Sequence, residues 1–479
     1  MAYNHGITTT EQETSIVSSV QLESAVAVVF GTAPINMGNI DNVNKPVLCH
    51  TYKEAVEALG YIDDFQAGYT LPEVIYSQFS LYGAAPIIFI NVLDAARHVK
   101  VESPAVYGFH DGKAQLPHTG IIKNTLKITC QETLAVEGVD YDLSFAQDGK
   151  LIIHRVETGN IPVDTEIQAE YSRLDPTMVT ADDIIGGIDI NTGRKTGIEL
   201  TEEIFPRFRI TPAILAAPGF SVEPLVAKAL LAKAISINGL FKAVVVADIS
   251  DNTVKKYSDV PGYKNSANLT GQSLITAWPK VKSGDKEFWL STHLIGVMGR
   301  TDAEHENVPY KSPSNESMFI DGLVNNGEEV ILTPDEAAYL NGQGVVTALN
   351  FVGGFKAWGN RTSAYPAVTD VKDSMIPVSR MFAWINNTII LTYWQKVDYP
   401  IRKRTIDNIV DSVTFWLNGL AAREIILGGR IVFDEGENPV TDIMDGIIRF
   451  HMYITPPSPA REISFTLEYD PAYLETLFE

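Results

Sequence analysis

One serine sits where covalent chemistry would place it. In Pro218-Gly219-Phe220-Ser221-Val222-Glu223 it follows a strand-like apolar run and precedes a helix-like one. A nucleophile elbow uses such a turn, yet the second glycine of G-x-S-x-G is here Glu223. The pattern predicts instead that Ser221 caps the helix and that Glu223 complements the positive end of its dipole. The rival reading, a subtilisin-like or esterase-like serine hydrolase using Ser221, needs triad partners drawn from distant positions. Asp302-Ala303-Glu304-His305-Glu306 has metal-ligating residue types, but no second histidine is near in sequence and the surroundings are rich in Pro and Asn. That predicts a solvated loop. Gly342-Gln343-Gly344 lacks the third glycine and preceding strand of a dinucleotide site, and neither G-x-x-x-x-G-K-[ST] nor H-E-x-x-H occurs. The expectation is a non-enzyme with no catalytic, cofactor-binding or metal-ligating residues and no cofactor.

Two other patterns ask for a partner. Arg402-Lys403-Arg404 lies in the first turn of a helix expected to begin at Pro400. There the dipole disfavours each exposed cation by roughly 0.3–1 kcal/mol. In an acidic chain such a knot points to an anionic surface; the alternative is that the side chains extend into water or meet Asp398 and Asp407. The second pattern is the pair of chain ends. Ile7 to Val20 is rich in Thr, Ser, Glu and Val without a core pattern, which predicts an extended, exposed tail. Near the other end, Ile463, Phe465, Leu467 and Tyr469 alternate with Glu462, Ser464, Thr466 and Glu468, beyond the spacer Thr455-Pro456-Pro457-Ser458-Pro459. Unpaired strand edges pair at home or with another chain. Ile7, Thr9, Glu11, Ile16 and Val17 at one end, and the four alternating residues at the other, are therefore candidate arm residues between subunits. For the C-terminal strand the alternative is closure of its own domain's sheet.

The elements between these features read as several domains. Ala25 to Phe30 and Pro86 to Val92 are short apolar runs of the kind buried on both faces of a parallel sheet, with helices expected at Lys53–Leu59 and Pro72–Tyr82 between them. From about His98 short strands follow one another, at Leu126–Cys130, Tyr141–Phe145, Leu151–Val156 and Glu166–Tyr171, which predicts an inserted β-sandwich or small barrel. Alternation of strand and helix then resumes: strands at Ile210–Ala217, Phe241–Ile249 and Phe288–Met298, helices at Glu223–Ile235 and from Pro334. Val378, Phe382, Ile385, Ile389 and Tyr393 mark one face of a long helix, and Ile406, Ile409, Val410, Val413, Leu417 and Leu420 one face of the next. Strands are expected after them at Gly429–Phe433 and Gly446–Ile454.

The chain has 479 residues, 45% apolar and 20% charged, with 37 Lys and Arg against 59 Asp and Glu, a net charge of −22. A field of that sign repels phosphate backbones and anionic lipids, which argues against direct nucleic-acid binding. No apolar run nears the roughly 18 residues of a membrane span, so no membrane insertion is expected. Residues 1–44 hold no Lys or Arg. That composition fits neither a signal peptide nor a transit peptide and predicts a soluble chain made in the cytoplasm. Cys49 and Cys130 are too few for a disulfide framework.

Several segments, in order, resemble the contractile phage tail sheath family, which also occurs in phage-tail-like bacteriocins and contractile injection systems. They are Tyr3-Asn4-His5-Gly6, Thr180-Ala181-Asp182-Asp183-Ile184-Ile185-Gly186-Gly187, and Ile214-Leu215-Ala216-Ala217-Pro218-Gly219-Phe220 with Ala227-Lys228-Ala229-Leu230. They continue with Lys311-Ser312-Pro313-Ser314-Asn315, Tyr339-Leu340-Asn341 leading to Gly344-Val345, and Ala357-Trp358-Gly359-Asn360-Arg361-Thr362 with Ala364-Tyr365-Pro366. The resemblance implies an α/β and α+β multi-domain fold. Its parts would be an N-terminal arm (1–22), the first part of an α/β core (23–97), a β-sandwich insertion (98–180) and a non-catalytic subtilisin-like α/β domain (181–360). A C-terminal tube-facing α+β domain (361–458) and a C-terminal arm (459–479) would follow. It implies a subunit of stacked hexameric rings around a tail tube, contracting to drive the tube through a target envelope. Its partners would be further copies in a helical sheath, the tube protein, and baseplate and tail terminator proteins, within a virion or bacteriocin particle. Arg402, Lys403 and Arg404 would then face the tube. A soluble scaffold that never contracts is the remaining alternative.

Overall fold

The computed structural model describes residues 19–20, 22–163, 165–471 and 473–474. Its centre is an eight-stranded sheet in the order Pro46–Cys49, Ile87–Asn91, Ala27–Gly31, Ile214–Ala216, Val244–Asp248, Leu274–Ala277, Val345–Asn350, Phe355–Trp358. The six inner strands run parallel and both edge strands are antiparallel to their neighbours. Ala27–Gly31, Ile87–Asn91 and Val244–Asp248 are buried along their whole length. This is why they read as unbroken apolar runs: helices cover both faces of a parallel sheet, so no residue can alternate toward water.

The Phe288–Met298 run is not a strand. A short strand Lys286–Phe288 ends there, and Leu290–Ala303 forms a helix whose residues from Leu290 to Met298 are all buried. A helix sunk in the core on every side keeps no polar stripe, so its sequence carries no 3.6-residue period to separate it from a buried strand. Gly296 lets it approach Tyr82, whose ring would lie 2.3 Å from a Cβ at that position.

Two smaller units hang on this body. Between the Ile87–Asn91 and Ile214–Ala216 strands the chain builds two facing antiparallel sheets. One holds Val99–Gly108, Glu166–Leu174, Lys127–Cys130 and Thr133–Leu134; the other holds Lys113–Thr119, Lys150–Arg155 and Tyr141–Phe145. Leu116, Ile128, Leu151, Ile153, Ile167 and Tyr171 fill the space between them as a separate core. At the C-terminal end, helices Ile376–Tyr393 and Lys403–Ala422 pack with a two-stranded sheet, Gly428–Val432 and His451–Thr455, around Met381, Trp384, Ile385, Val413, Leu417 and Leu420. The second helix starts at Lys403 rather than Pro400, because Arg402 is still extended (φ −136°, ψ 149°).

The Ile463–Tyr469 stretch forms no strand within its own chain. Its period-two pattern is real, but the described residues offer it no partner strand to complete a ladder.

Candidate functional site

The surfaces that could hold a partner gather in the C-terminal unit. Its two-stranded sheet lies on the Lys403–Ala422 helix through Gly429, where a Cβ would stand 3.2 Å from both the Leu417 side chain and the Tyr453 carbonyl. The pairing runs from Gly428–Thr455 to Val432–His451, and among the described residues neither strand has a second neighbour. Both outer edges therefore present unused backbone donors and acceptors. Across the outer face, the Arg430 guanidinium sits 4.4 Å over the Tyr453 ring.

The chain leaves this sheet through buried Pro456 and runs out exposed. Ile463 is 73%, Phe465 85%, Leu467 95% and Tyr469 76% accessible. Four large apolar side chains on one edge of a chain segment, all in water, are unusual for a folded protein. Ile7, Thr9, Glu11, Ile16 and Val17, the expected arm residues of the other end, lie outside the described residues.

Arg402, Lys403 and Arg404 stand exposed at the start of the Lys403–Ala422 helix, whose first turn has neither an acidic residue nor a side-chain cap. Arg402 and Arg404 line a groove of about 460 Å³ with Lys396, Tyr399, Pro400, Thr405, Asn408 and Ile409. Unsatisfied helix N–H groups and several cations on one rim make this region electropositive on an acidic molecule.

Ser221 has a different fate from the one its sequence context predicts. It caps nothing: Glu223 holds the cap position of the Pro224–Ile235 helix, without a side-chain bond. Ser221 is fully buried; its hydroxyl accepts from the Asp248 amide at 3.0 Å and donates to the Asp248 carboxylate at 3.4 Å. Asp248 also accepts from the Ser291 amide and hydroxyl, and Thr292 donates to Glu73 at 2.7 Å. Among the described residues no histidine hydrogen-bonds Ser221; the buried His293 pairs with the Tyr82 hydroxyl. Burial raises Asp248 to about 6 and Glu73 to about 8, and lowers His293 to about 3, so Glu73 is mostly protonated and His293 neutral at pH 7. Beside this network a cleft of about 660 Å³ opens between Phe65, Phe220, Lys280 and Trp289, but Ser221 does not line it. A buried hydroxyl with no histidine beside it among the described residues, and outside the lining of that cleft, lacks the arrangement of a Ser–His nucleophile.

The acidic knot is a solvated turn only in part: Glu304 and Glu306 are exposed, whereas Asp302 is not. Asp302 and Ala303 close the Leu290–Ala303 helix, and Asp302 is buried in a bidentate ion pair with Arg380. Glu306 pairs with Arg423, and His305 bonds the Thr301 carbonyl. No group of three metal-ligating side chains occurs among the described residues. No described helix is long and apolar enough to cross a membrane.

The comparisons with known proteins fit this layout. No family model matches the chain. A tail sheath protein of Burkholderia phage BcepMu is 29% identical over an alignment of 492 positions, spanning 99% of this chain and 98% of that protein. A putative prophage major tail sheath protein of Pseudomonas aeruginosa strain UCBPP-PA14 is 23% identical and covers 62% of this chain and 74% of its own length. Over nearly its whole length the chain is similar to a tail sheath protein. Its fold follows solved sheaths as well. The anti-feeding prophage helical sheath in its contracted state matches 97% of this chain and 99% of its own, with a TM-score of 0.58 at 14% identity. The contracted PVC sheath complex of an extracellular contractile injection system matches 99% of each chain, again at 0.58 and 12% identity. A chain of the anti-feeding prophage baseplate matches 98% of this one at 0.55 and 15% identity.

Sequence reasoning missed the buried Arg380–Asp302 pair and the residues fastened to it. One signal was available. Arg380 lies between Pro377, Val378 and Met381 on a helix otherwise apolar at that end, a place where arginine needs a buried anion.

Proposed function

We propose that this chain polymerises as stacked hexameric rings around a tail tube and contracts to drive the tube through a target envelope. The observation that carries the reading is the unpaired, strictly alternating Ile463–Tyr469 segment next to a two-stranded sheet with two open edges. A strand that finds no ladder at home gains about 0.5–1.5 kcal/mol per hydrogen bond when it joins one on a neighbour. Non-closing contacts of this head-to-tail kind generate helical polymers. The N-terminal arm residues Ile7, Thr9, Glu11, Ile16 and Val17 serve as the matching link at the other end. Arg402, Lys403 and Arg404 face the tube, and further partners are baseplate and terminator proteins of the same particle, a virion or a bacteriocin. The α/β body acts as a subtilisin-like scaffold without catalysis, a reading supported by the enclosed Ser221 hydroxyl.

Deletion of Arg461–Glu479 tests the arm. It should leave a soluble, folded monomer, since the exposed Ile463–Tyr469 stretch adds nothing to its own core, and abolish tubular polymers in electron micrographs. Normal sheaths from the truncated chain would refute the reading.

A further inference from the structure

The segment just ahead of the first strand is fastened to the other end of the molecule. The Val20 amide donates to Thr392 Oγ1 at 3.0 Å, and the Trp384 indole N–H donates to the Leu22 carbonyl at 3.3 Å. The Arg380 guanidinium donates to the Ser24 carbonyl at 3.2 Å, and the Ser24 hydroxyl donates to Asp302 at 2.6 Å. As the chain climbs from 20 to 24, its partners descend the Ile376–Tyr393 helix from 392 to 380. The Leu22 and Ser24 carbonyls thus meet helix positions 384 and 380, four residues or about 6 Å apart along the helix axis. Leu22 also packs into the C-terminal core. The bottom rung is the strongest. Arg380 and Asp302 are 3% and 1% exposed, and a bidentate guanidinium–carboxylate pair desolvated to that degree is costly to open. Ser24 thus touches two elements at once: the helix ending at Ala303 and the helix beginning at Ile376.

We propose that Val20 and Leu22–Ser24 form a strap that binds the root of the N-terminal arm along the Ile376–Tyr393 helix. A pull on the arm is then carried by the C-terminal unit and, through Arg380–Asp302, by the α/β body together. This role rests on the arm reading above. Without the strap, the same pull would fall on Ala27–Gly31, a central strand whose ladders to Ile87–Asn91 and Ile214–Ala216 hold the main sheet together.

The full-length chain carrying Ser24→Ala, Trp384→Phe and Thr392→Val tests this, because each change removes one rung and leaves both sides of the Arg380–Asp302 pair in place. In the free subunit, amide exchange at Val20 and at Leu22 to Ala25 should quicken at least tenfold while Ala27–Gly31 keeps its protection. Assembled tubes should come apart at lower urea than wild-type tubes. Thr392→Val alone, which deletes only the Val20 rung, gives the same readout at Val20 should the triple variant fold poorly. Unchanged exchange at Val20 and at Leu22 to Ala25 would overturn the strap, and so would variant tubes as resistant as wild type. Absence of tubes from the wild-type protein would instead remove the arm reading, and the load-bearing role with it.

Discussion

At the scale of single residues, the polar groups near the sheet's carboxyl edge are structural and set a pH response. Glu73 is held neutral by burial, its pKa pushed up from 4.5 to about 8 despite the Thr292 hydrogen bond. Between those values the folded chain keeps a proton that the unfolded chain has lost, so stability falls as pH rises across that window. Asp248 acts in the same direction up to about 6. His293, lowered to about 3, acts oppositely: stability is lost as pH falls below 6.5, where the unfolded chain takes up a proton that the buried ring refuses. From pH 6.5 to 8 Glu73 therefore dominates among these three. Glu73→Gln mimics the protonated carboxyl in shape. It should leave the thermal midpoint near its wild-type value at pH 6 and flatten the decline between pH 6.5 and 8. An equal decline in both proteins would show that Glu73 is not the titrating group.

At the scale of elements, the start of the Lys403–Ala422 helix is built against its own stability. Three cations at the positive end of a helix dipole are unfavourable, and no acidic residue in the first turn relieves them. Arg402→Glu with Arg404→Glu should therefore stabilise the isolated subunit, by roughly 0.3–1 kcal/mol per site. The same change should weaken co-sedimentation with tail tubes more than sheath–sheath polymerisation. These opposite signs separate a tube-facing role from a general folding role: a destabilised subunit, or tube binding equal to wild type, would count against the assignment. The unpaired C-terminal segment shares this logic, since an element poorly satisfied within its chain is one left for a neighbour.

At the scale of the whole molecule, copies of a chain with a net charge of −22 must approach one another closely in any polymer. Their mutual repulsion reaches ~30 Å at 10 mM salt and about 8 Å at 150 mM. Polymerisation should therefore rise as salt increases over that range, measured by sedimentation. Polymers once formed should persist when salt is raised further, because ladder hydrogen bonds and buried apolar side chains are not screened. Dissolution of tubes by high salt would mean that charge pairs, rather than the arms, hold the subunits together.

Much of this organisation was written along the chain. Ala27–Gly31 and Ile87–Asn91 announce a doubly covered sheet because burial on both faces leaves no polar alternation. Glu166–Leu174 and its neighbours announce an antiparallel insertion because short strands need frequent turns. The alternation at Ile463–Tyr469 shows because period two survives even where the described residues supply no partner strand. What the sequence could not decide were the matters settled by contacts between residues from tens to hundreds of positions apart. The Leu290–Ala303 helix passes for a strand until the core surrounds it. Ser221 passes for a cap until Asp248 closes over it. Asp302 passes for part of an exposed acidic loop until Arg380 and Ser24 reach it. Local pattern records the solvent that each face meets, whereas burial and pairing belong to whichever distant segment arrives opposite, and only the tertiary structure supplies that.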